Sequence, residues 1–315
     1  MFLTIITQFL LMRFSEYFRH SRNDSLAISG LILGCILFGL GSLIIVFVPL
    51  GSFAMSFWRL LVGTLVFAAL ALRKKASFSM NRYSALFATL GGIFLNLDLA
   101  LWHESIHAVG PGISTLLNSL QIFFLAAIGL CFFQERLNVW QVMSLVLAIV
   151  GVVLIASPEF GQNHHATWGF VSGIVSGAML ALSMSSIRKM HDYGYVALTS
   201  LMLILNLSGA LSALPIALFY REALLPHGLQ AVGLIAIYGL VMQCLAWSLI
   251  AFAIPRLSLA VTGLILLCEP VAALLIDAFI LEKAIVSQQW YGAFLTLLAI
   301  YCGSVKRRSL SHDKP

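Results

Sequence analysis

Residues 26–47 read LAISGLILGCILFGLGSLIIVF, a stretch of 22 residues without a charged side chain. At a rise of 1.5 Å per residue, a helix of this length crosses a hydrocarbon core of ~30 Å. Nine further apolar segments follow along the chain, and the connections between them are too short to hold a folded domain. The ten predicted spans cover residues 26–47, 53–72, 84–103, 109–133, 139–156, 167–187, 195–219, 228–252, 258–281 and 288–305.

The composition of the whole chain is that of a membrane protein. Hydrophobic residues make up 61% of its 315 residues, charged residues only 10%, and the mean hydropathy is +1.00. A soluble domain of this size carries far more charge. We therefore predict an all-α integral membrane protein, and we attribute the net charge of +6 to its loops and not to a nucleic-acid surface.

The ten segments form two runs of five. An odd number of spans in each run places the second run upside down in the bilayer relative to the first, as in many transporters of small solutes. A weak internal repeat at a shift of 147 residues supports this division into two inverted five-helix repeats around a central cavity. The recurring positions are Thr115, Leu117, Leu120, Ala126, Phe132 and Glu135, which match Thr262, Leu264, Leu267, Ala273, Phe279 and Glu282.

Basic residues are unevenly distributed between the two predicted sides of the membrane. Fifteen Lys and Arg residues fall on one side and two, Arg221 and Lys283, on the other. Because Lys and Arg near span ends are retained in the cytoplasm, we predict that both termini are cytoplasmic. The expected location of this multi-pass protein is a bacterial inner (plasma) membrane.

We divide the chain into four parts. Residues 26–157 and 158–305 are the two predicted repeats. Residues 1–25 contain an apolar run followed by basic residues, the reverse of the order in a signal peptide, and we interpret them as a cytoplasmic leader. Residues 306–315 form a short basic cytoplasmic tail.

Four stretches resemble the drug/metabolite transporter superfamily, specifically its EamA-type members with ten spans. Residues 267–282, LCEPVAALLIDAFILE, are similar to the ninth-span signature of that family. The other three are SFWRLLVG at 56–63, LDLALWHESI at 97–106 and FQERL at 133–137. The resemblance covers residues 26–305 and implies a single 5+5 helical domain that moves small metabolites, commonly outward. It does not identify the substrate.

Charged side chains inside the predicted spans are the first candidates for a functional site. A charge at mid-bilayer depth costs ~2.5 to 3.5 kcal/mol on insertion scales, so it persists where it faces a cavity, a partner or a pathway. Arg59 is interpreted either as a substrate contact or as the counter-charge of buried acids. The four charged residues are Arg59, Asp98, Glu269 and Asp277.

Polar residues on three spans extend the predicted cavity. Trp102 follows Asp98 by one helical turn, so the two could bind an amine or stack against a ring. The alternatives are a helix contact for Asp98 and an interfacial position for Trp102. A polar stripe on span four and a polar pair on span eight either line the cavity or serve interhelical bonding and packing. These residues are Ser114, Asn118 and Gln121 on span four and Gln243 and Trp247 on span eight.

Glu269 is the candidate coupling residue. A carboxylate deep in a membrane protein can exchange a proton near physiological pH. Pro270 follows it directly and removes a backbone donor, so the pair is interpreted as a proton site next to a hinge. Widespread Glu-Pro in the resembled family indicates a general mechanical role rather than substrate selection.

One motif favours a different class of protein. His103, Glu104 and His107 spell HESIH, which matches the HExxH pattern of zinc hydrolases. Position 113 is Ile where the extended pattern needs a third ligand, and Gly110 and Pro111 interrupt the helix just after His107. We expect no metal here, and a vestibule position for the histidines is the main interpretation.

The resulting hypothesis is a secondary transporter that exports a small metabolite such as an amino acid by alternating access. Proton exchange or the gradient of the substrate itself would drive it. Uptake or exchange by the same fold is one alternative, and an intramembrane zinc metalloprotease is the other. The sequence contains no coenzyme or Walker motif, so we predict neither a cofactor nor enzyme activity. The expected partners are a small-molecule metabolite, the lipid bilayer and protons, without nucleic acid, in a monomer or homodimer.

Overall fold

Every regular element in the described part of the chain is helical. The computed structural model describes residues 24–48, 50–74, 80–156, 166–226, 228–279 and 286–304. The helices are α1 (Asp24–Phe47), α2 (Ser52–Lys74), α3 (Arg82–Val109), α4 (Pro111–Ser119), α5 (Gln121–Phe132), α6 (Val139–Ala156), α7 (Ala166–His191), α8 (Leu198–Phe219), α9 (Gly228–Ile237), a π-helix (Tyr238–Ala246), α10 (Trp247–Ala253), α11 (Leu259–Leu266), α12 (Cys268–Phe279) and α13 (Ser287–Ser304).

Within the described ranges, five stretches are long and apolar enough to cross a membrane. They are Ser52–Arg73, Arg82–Val109, Thr167–His191, Leu198–Phe219 and Gly228–Ala253. Shorter apolar helices occupy Leu26–Gly39, Leu117–Phe132, Val139–Leu154 and Leu259–Ala272. Residues 1–23 of the predicted leader, the predicted basic tail at 306–315, residues 157–165 and residues 280–285 lie outside the described residues.

Helix starts follow local chemistry. Asn81 Oδ1 accepts a hydrogen bond from Tyr83 N over 3.2 Å and caps α3, and Ser258 Oγ accepts one from Val261 N over 3.3 Å at the start of α11. Between α3 and α4, Gly110 has φ +85°, a conformation that glycine adopts without a steric penalty. Pro111 then begins α4, as the sequence predicts for a proline in the first helical turn.

The fourth and ninth predicted spans are each interrupted once, at corresponding positions. Leu120 separates α4 from α5 with φ −63° and ψ −10°, and Leu267 separates α11 from α12 with φ −67° and ψ −4°. Both amides bond to the carbonyl three residues earlier, Leu117 O over 3.1 Å and Leu264 O over 3.2 Å. This is the tighter 3₁₀ pattern. Leu120 and Leu267 are one of the residue pairs in the predicted internal repeat, so the repeat has a local structural counterpart.

The most extensive helix pairings join the first half of the chain to the second. They are α3 with α7, α6 with α13, α2 with α8 and α3 with α8. Small residues permit the close approach of α7: a Cβ on Gly173 would lie 2.7 Å from Leu117 Cβ, and one on Gly177 would lie 2.7 Å from Asn118 O. Gly173 and Gly177 are therefore positions at which α7 packs closely against α4.

Candidate functional site

Arg59 lies at the centre of a buried polar cluster. Its side chain is fully buried on α2, its Nε donates to Gln243 Oε1 over 2.8 Å, and its Nη1 donates to Tyr238 Oη over 2.7 Å. The guanidinium carbon also lies 4.8 Å from the ring centroid of Phe38 and 4.6 Å from that of Tyr238. The aromatic contacts and the two neutral partners fix the orientation of the guanidinium group.

The structure does not pair Arg59 directly with an acid. Among the described side chains, none places a carboxylate oxygen within 4.0 Å of its guanidinium nitrogens. Asp98 and Glu269 are nevertheless close enough for the charge of Arg59 to act on both of them electrostatically. The N–H groups of Arg59 that have hydrogen-bond partners therefore bond to neutral side chains, Gln243 and Tyr238.

The π-helix explains how two residues of one element reach the same guanidinium group. Tyr238 and Gln243 are five residues apart, and a π-helix bonds residue i to residue i+5, so both side chains project from one face. In an ordinary α-helix, side chains at these two positions would point about 140° apart around the helix axis. The local departure from α-helical geometry thus assembles the cluster around Arg59.

His103 extends the cluster towards the start of α2. Its Nδ1 lies 3.1 Å from Ser52 O and its Nε2 lies 3.1 Å from Tyr238 Oη. Since a carbonyl oxygen only accepts, Nδ1 carries the proton and Nε2 accepts the hydroxyl hydrogen of Tyr238. Tyr238 Oη in turn accepts from Arg59, so the hydrogen bonds run in one direction from Arg59 to Ser52.

The three polar side chains of the HESIH motif have different surroundings. His103 is fully buried with both ring nitrogens engaged, whereas His107 is exposed. Glu104 accepts a hydrogen bond from Trp168 Nε1 over 3.2 Å. Zinc binding by His103 would break one of its two hydrogen bonds, so the geometry favours a structural role for this histidine.

Asp98 belongs to a second polar group. It is 4% exposed, and its Oδ1 accepts a hydrogen bond from Asn118 Nδ2 over 2.9 Å. The same nitrogen lies 2.9 Å from Ser176 Oγ on α7. A carboxylate from α3, an amide from α4 and a hydroxyl from α7 therefore meet, which joins two of the predicted site residues and adds Ser176 to them.

The other predicted residues take different roles. Ser114 Oγ donates to the backbone oxygen of Trp102 over 3.1 Å. The indole of Trp102 is 5% exposed and packs in an apolar cluster with Met55 and Tyr238. Gln121 is 2% exposed, and its Oε1 has no hydrogen-bond partner among the described residues.

Glu269 and Pro270 lie in the first turn of α12, directly after the interruption at Leu267. Glu269 is half-buried and Pro270 is buried. An interruption before a proline leaves backbone groups outside the regular helical pattern, as expected for a hinge. Of Asp277, the structure describes only the backbone position within α12.

Sequence reasoning missed several members of the site. Tyr238 was overlooked because its spacing from Gln243 does not fit an α-helix. Phe38 and Ser176 look like ordinary packing residues in an apolar chain. Asn96 was also missed, although it is fully buried and bridges Ser56 Oγ over 2.5 Å and Ser212 Oγ over 3.1 Å. A polar amide inside a predicted span was the available signal.

The chain is similar to membrane transporters in sequence and structure. A protein of Archaeoglobus fulgidus described as an "uncharacterized transporter" is 23% identical over 217 residues, 68% of this chain and 73% of that protein. A "probable amino-acid metabolite efflux pump" of Salmonella typhimurium is 24% identical over 202 residues, 60% of this chain and 66% of that protein. A crystal structure shares the fold with a TM-score of 0.72 at 16% identity, covering 90% of this chain and 98% of the other.

The family model is matched twice along the chain. It is the EamA-like transporter family, and the matches cover residues 25–157 and 166–304. Arg59, Asp98 and Asn118 lie in the first match, and Tyr238, Gln243 and Glu269 lie in the second. Together with the apolar helices, these two matches show that the chain is a multi-pass membrane protein that belongs to the EamA-like transporter family.

Proposed function

We propose that this chain is a ten-span secondary transporter that exports a small metabolite such as an amino acid by alternating access. The main observation in support of this proposal is a buried polar cluster that contains residues of both family matches. Arg59 comes from the first match, and Tyr238 and Gln243 come from the second. Buried ionisable groups in membrane proteins mark binding sites and pathways. A movement of one half against the other would remake these contacts, which is what a site with alternating access requires.

The helix pairings support a two-fold relation between the halves. If the two halves are exchanged, α3 takes the place of residues 228–253 and α7 takes the place of α1. The pairing of α3 with α7 then corresponds to the pairing of residues 228–253 with α1, and the structure contains both. The same exchange swaps α2 with α8 and α6 with α13, so each of these two pairings corresponds to itself. Together with the matching interruptions at Leu120 and Leu267, this pattern favours two repeats of five spans each. The excess of basic residues on one side favours cytoplasmic termini in an inner membrane.

Two glutamates connect the halves at opposite ends of the bundle. Glu135 accepts hydrogen bonds from Leu259 N over 3.0 and 3.1 Å and forms an ion pair with Arg188 over 3.3 Å. Glu222 accepts from Ala54 N over 2.7 Å and from Phe53 N over 3.3 Å. By the distribution of basic residues, Glu135 lies on the cytoplasmic side and Glu222 on the outer side. In the proposed cycle, the protein opens to one side of the membrane when the contact of one glutamate is released and the contact of the other is kept.

Glu269 is proposed to couple transport to protons. It lies at a helix interruption, within electrostatic range of Arg59, in the second half of the chain. Protonation of this carboxylate would remove a charge that faces Arg59 and so alter the balance between the two halves. The efflux named for the Salmonella relative is consistent with outward movement.

The test compares cells that overproduce the wild-type protein with cells that contain matched amounts of Glu269→Gln or Asp98→Asn. Untargeted metabolite profiling of medium and cells identifies the compounds that are redistributed. Asp192→Asn is the control, because it changes an exposed acid to its amide at the surface pair with Lys189. Export is supported if a small set of compounds accumulates in the medium with the wild type and the control but with neither site variant.

Two other results would change the proposal. Accumulation of the same compounds inside the cells indicates uptake or exchange, and profiles identical to those of cells without the protein contradict export. The coupling is then measured in proteoliposomes loaded with a labelled compound from the set. Efflux that accelerates when the outside is acidified, and does so only with Glu269 intact, supports proton exchange. A rate independent of the pH gradient leaves the substrate gradient as the driving force.

A further inference from the structure

Three buried side chains in the Arg59 cluster have N–H groups that find no hydrogen-bond partner among the residues that the structure describes. They are Arg59 Nη2, Gln243 Nε2 and Trp247 Nε1. The three residues are 0%, 0% and 1% exposed. Buried donors are normally satisfied, so three unpartnered donors in one neighbourhood require an explanation.

The three side chains belong to one cluster. Gln243 Oε1 accepts from Arg59 Nε over 2.8 Å, so the free Nε2 of Gln243 is on the very amide that contacts the guanidinium. Phe38 connects the third residue, because its ring lies 4.8 Å from the guanidinium carbon of Arg59 and 6.1 Å from the ring of Trp247. Trp247 follows Gln243 by four residues, directly after the π-helix.

The chemistry of the unpartnered atoms specifies an acceptor. An indole nitrogen and a guanidinium nitrogen can only donate, and Arg59 Nη2 carries two N–H groups. One nearby acceptor, Asn206 Oδ1, is also unpartnered, and a Cβ on Gly63 would lie 2.5 Å from it and 3.0 Å from Gln243 Cγ. If Gln243 turned its amide towards Asn206, the donors of Arg59 and Trp247 would still lack partners.

We propose that Arg59, Gln243 and Trp247 bind a carboxylate group of the transported metabolite. This inference rests on the proposed transport function, because it names the chemical class of its substrate. A carboxylate offers two acceptor oxygens and a single negative charge. One negative charge matches one arginine, whereas a doubly charged phosphate would be repelled about twice as strongly by Asp98 and Glu269, which both lie within electrostatic range of Arg59. The rings of Phe38 and Trp247 provide an apolar surface for the rest of the molecule.

The experiment measures binding to purified protein in nanodiscs, without any transport step. The probes are 3-phenylpropionate, its neutral amide 3-phenylpropionamide, and phenyl phosphate. Titration calorimetry with the wild type is expected to show binding of the acid at least about tenfold tighter than that of the amide or the phosphate, since hydrogen bonds to charged groups are the stronger ones.

Two variants and two controls locate the site. Arg59→Gln should weaken binding of the acid about a hundredfold, and Trp247→Phe, which keeps an aromatic ring but removes the N–H, about tenfold. Arg73→Gln and Trp140→Phe change the same residue types at exposed positions and should bind like the wild type. If Arg59→Gln does not fold, Trp247→Phe alone decides the result.

A spectroscopic measurement separates direct contact from a structural effect. The chain has six tryptophans, so the indole N–H signal that disappears in Trp247→Phe can be assigned to Trp247 in a spectrum of ¹⁵N-indole-labelled protein. This signal should shift when the acid is added and stay unchanged with the amide.

Several results would overturn the inference. They are equal binding of acid and amide, preference for phenyl phosphate, unchanged binding in Trp247→Phe, or no binding of the acid by the wild type. Metabolite profiling distinguishes this failure from failure of the transport proposal. If the exported compounds lack a carboxylate, the export proposal stands and the carboxylate site is contradicted. If the protein binds carboxylates but exports nothing, the carboxylate site stands and the export proposal is contradicted.

Discussion

Gln243 accepts a hydrogen bond from Arg59 Nε over 2.8 Å, and the two residues come from different family matches of the chain. The contact is fully buried on both sides. The amide of Gln243, together with the hydroxyl of Tyr238, therefore orients the guanidinium of Arg59 and connects the two halves of the chain at that point.

Gln243→Ala should destabilise the protein by about 1 to 3 kcal/mol, because it leaves Arg59 Nε buried without an acceptor. Unfolding in detergent measures the free energy of unfolding. Gln230→Ala is the control, since Gln230 is exposed on α9. Equal stability of the two variants would show that the Arg59–Gln243 contact contributes nothing.

Asn118→Asp should abolish metabolite export, because it places a second carboxylate 2.9 Å from Asp98 Oδ1 in a buried site. The double variant Asp98→Asn, Asn118→Asp exchanges the carboxylate and the amide between the two positions. One hydrogen-bond donor and one acceptor again face each other. Export by the double variant should therefore recover in part, as measured by the profiling experiment. A double variant no more active than Asn118→Asp would show that Asp98 acts alone and not as a pair with Asn118.

The long helices could be predicted from the sequence, and so could Asp98 and Asn118 as separate polar candidates, but the hydrogen bond between the two could not. Apolar length determines where a helix can cross the membrane, and all five long apolar helices fall on predicted spans. Asp98 and Asn118 were both predicted because polar residues in an apolar helix stand out. Tyr238 could not be found in this way, because the π-helix that aligns it with Gln243 leaves no periodic signal. The partners of Arg59 also depend on contacts between distant segments, which periodicity does not encode.

Gly177→Ala should destabilise the protein by about 1 to 3 kcal/mol, since the new Cβ would lie 2.7 Å from the backbone oxygen of Asn118, which cannot move without its helix. Gly233→Ala is the matched control, because a Cβ on Gly233 meets no atom within 4 Å. Alanine should leave stability at that position unchanged or raise it by up to about 1 kcal/mol through helix propensity. Thermal unfolding of both variants checks the prediction, and equal losses would contradict it.

Glu135→Gln should cost about 1 kcal/mol of stability. The glutamine can still accept from Leu259 N, but the ion pair with Arg188 is lost, and its partial exposure limits its value. Asp192→Asn removes a surface pair with Lys189 and should change stability by less than about 0.5 kcal/mol. Chemical unfolding of the two variants gives the comparison. A larger loss in Asp192→Asn would contradict the assignment of Glu135 as a contact between the halves.

The π-helix from Tyr238 to Ala246 has a genetic consequence. Removing one codon inside it, such as that of Val241, would let the backbone return to an α-helix and bring the flanking residues back towards α-helical alignment. Tyr238 and Gln243 would then be four positions apart in an α-helix, about 40° apart around the helix axis, so both side chains would still share the face towards Arg59. Point substitutions at lipid-facing positions of this segment such as Leu240 leave that alignment intact. A single-residue deletion should therefore be tolerated better here than in one of the α-helical spans, where it would turn every following residue by about 100°.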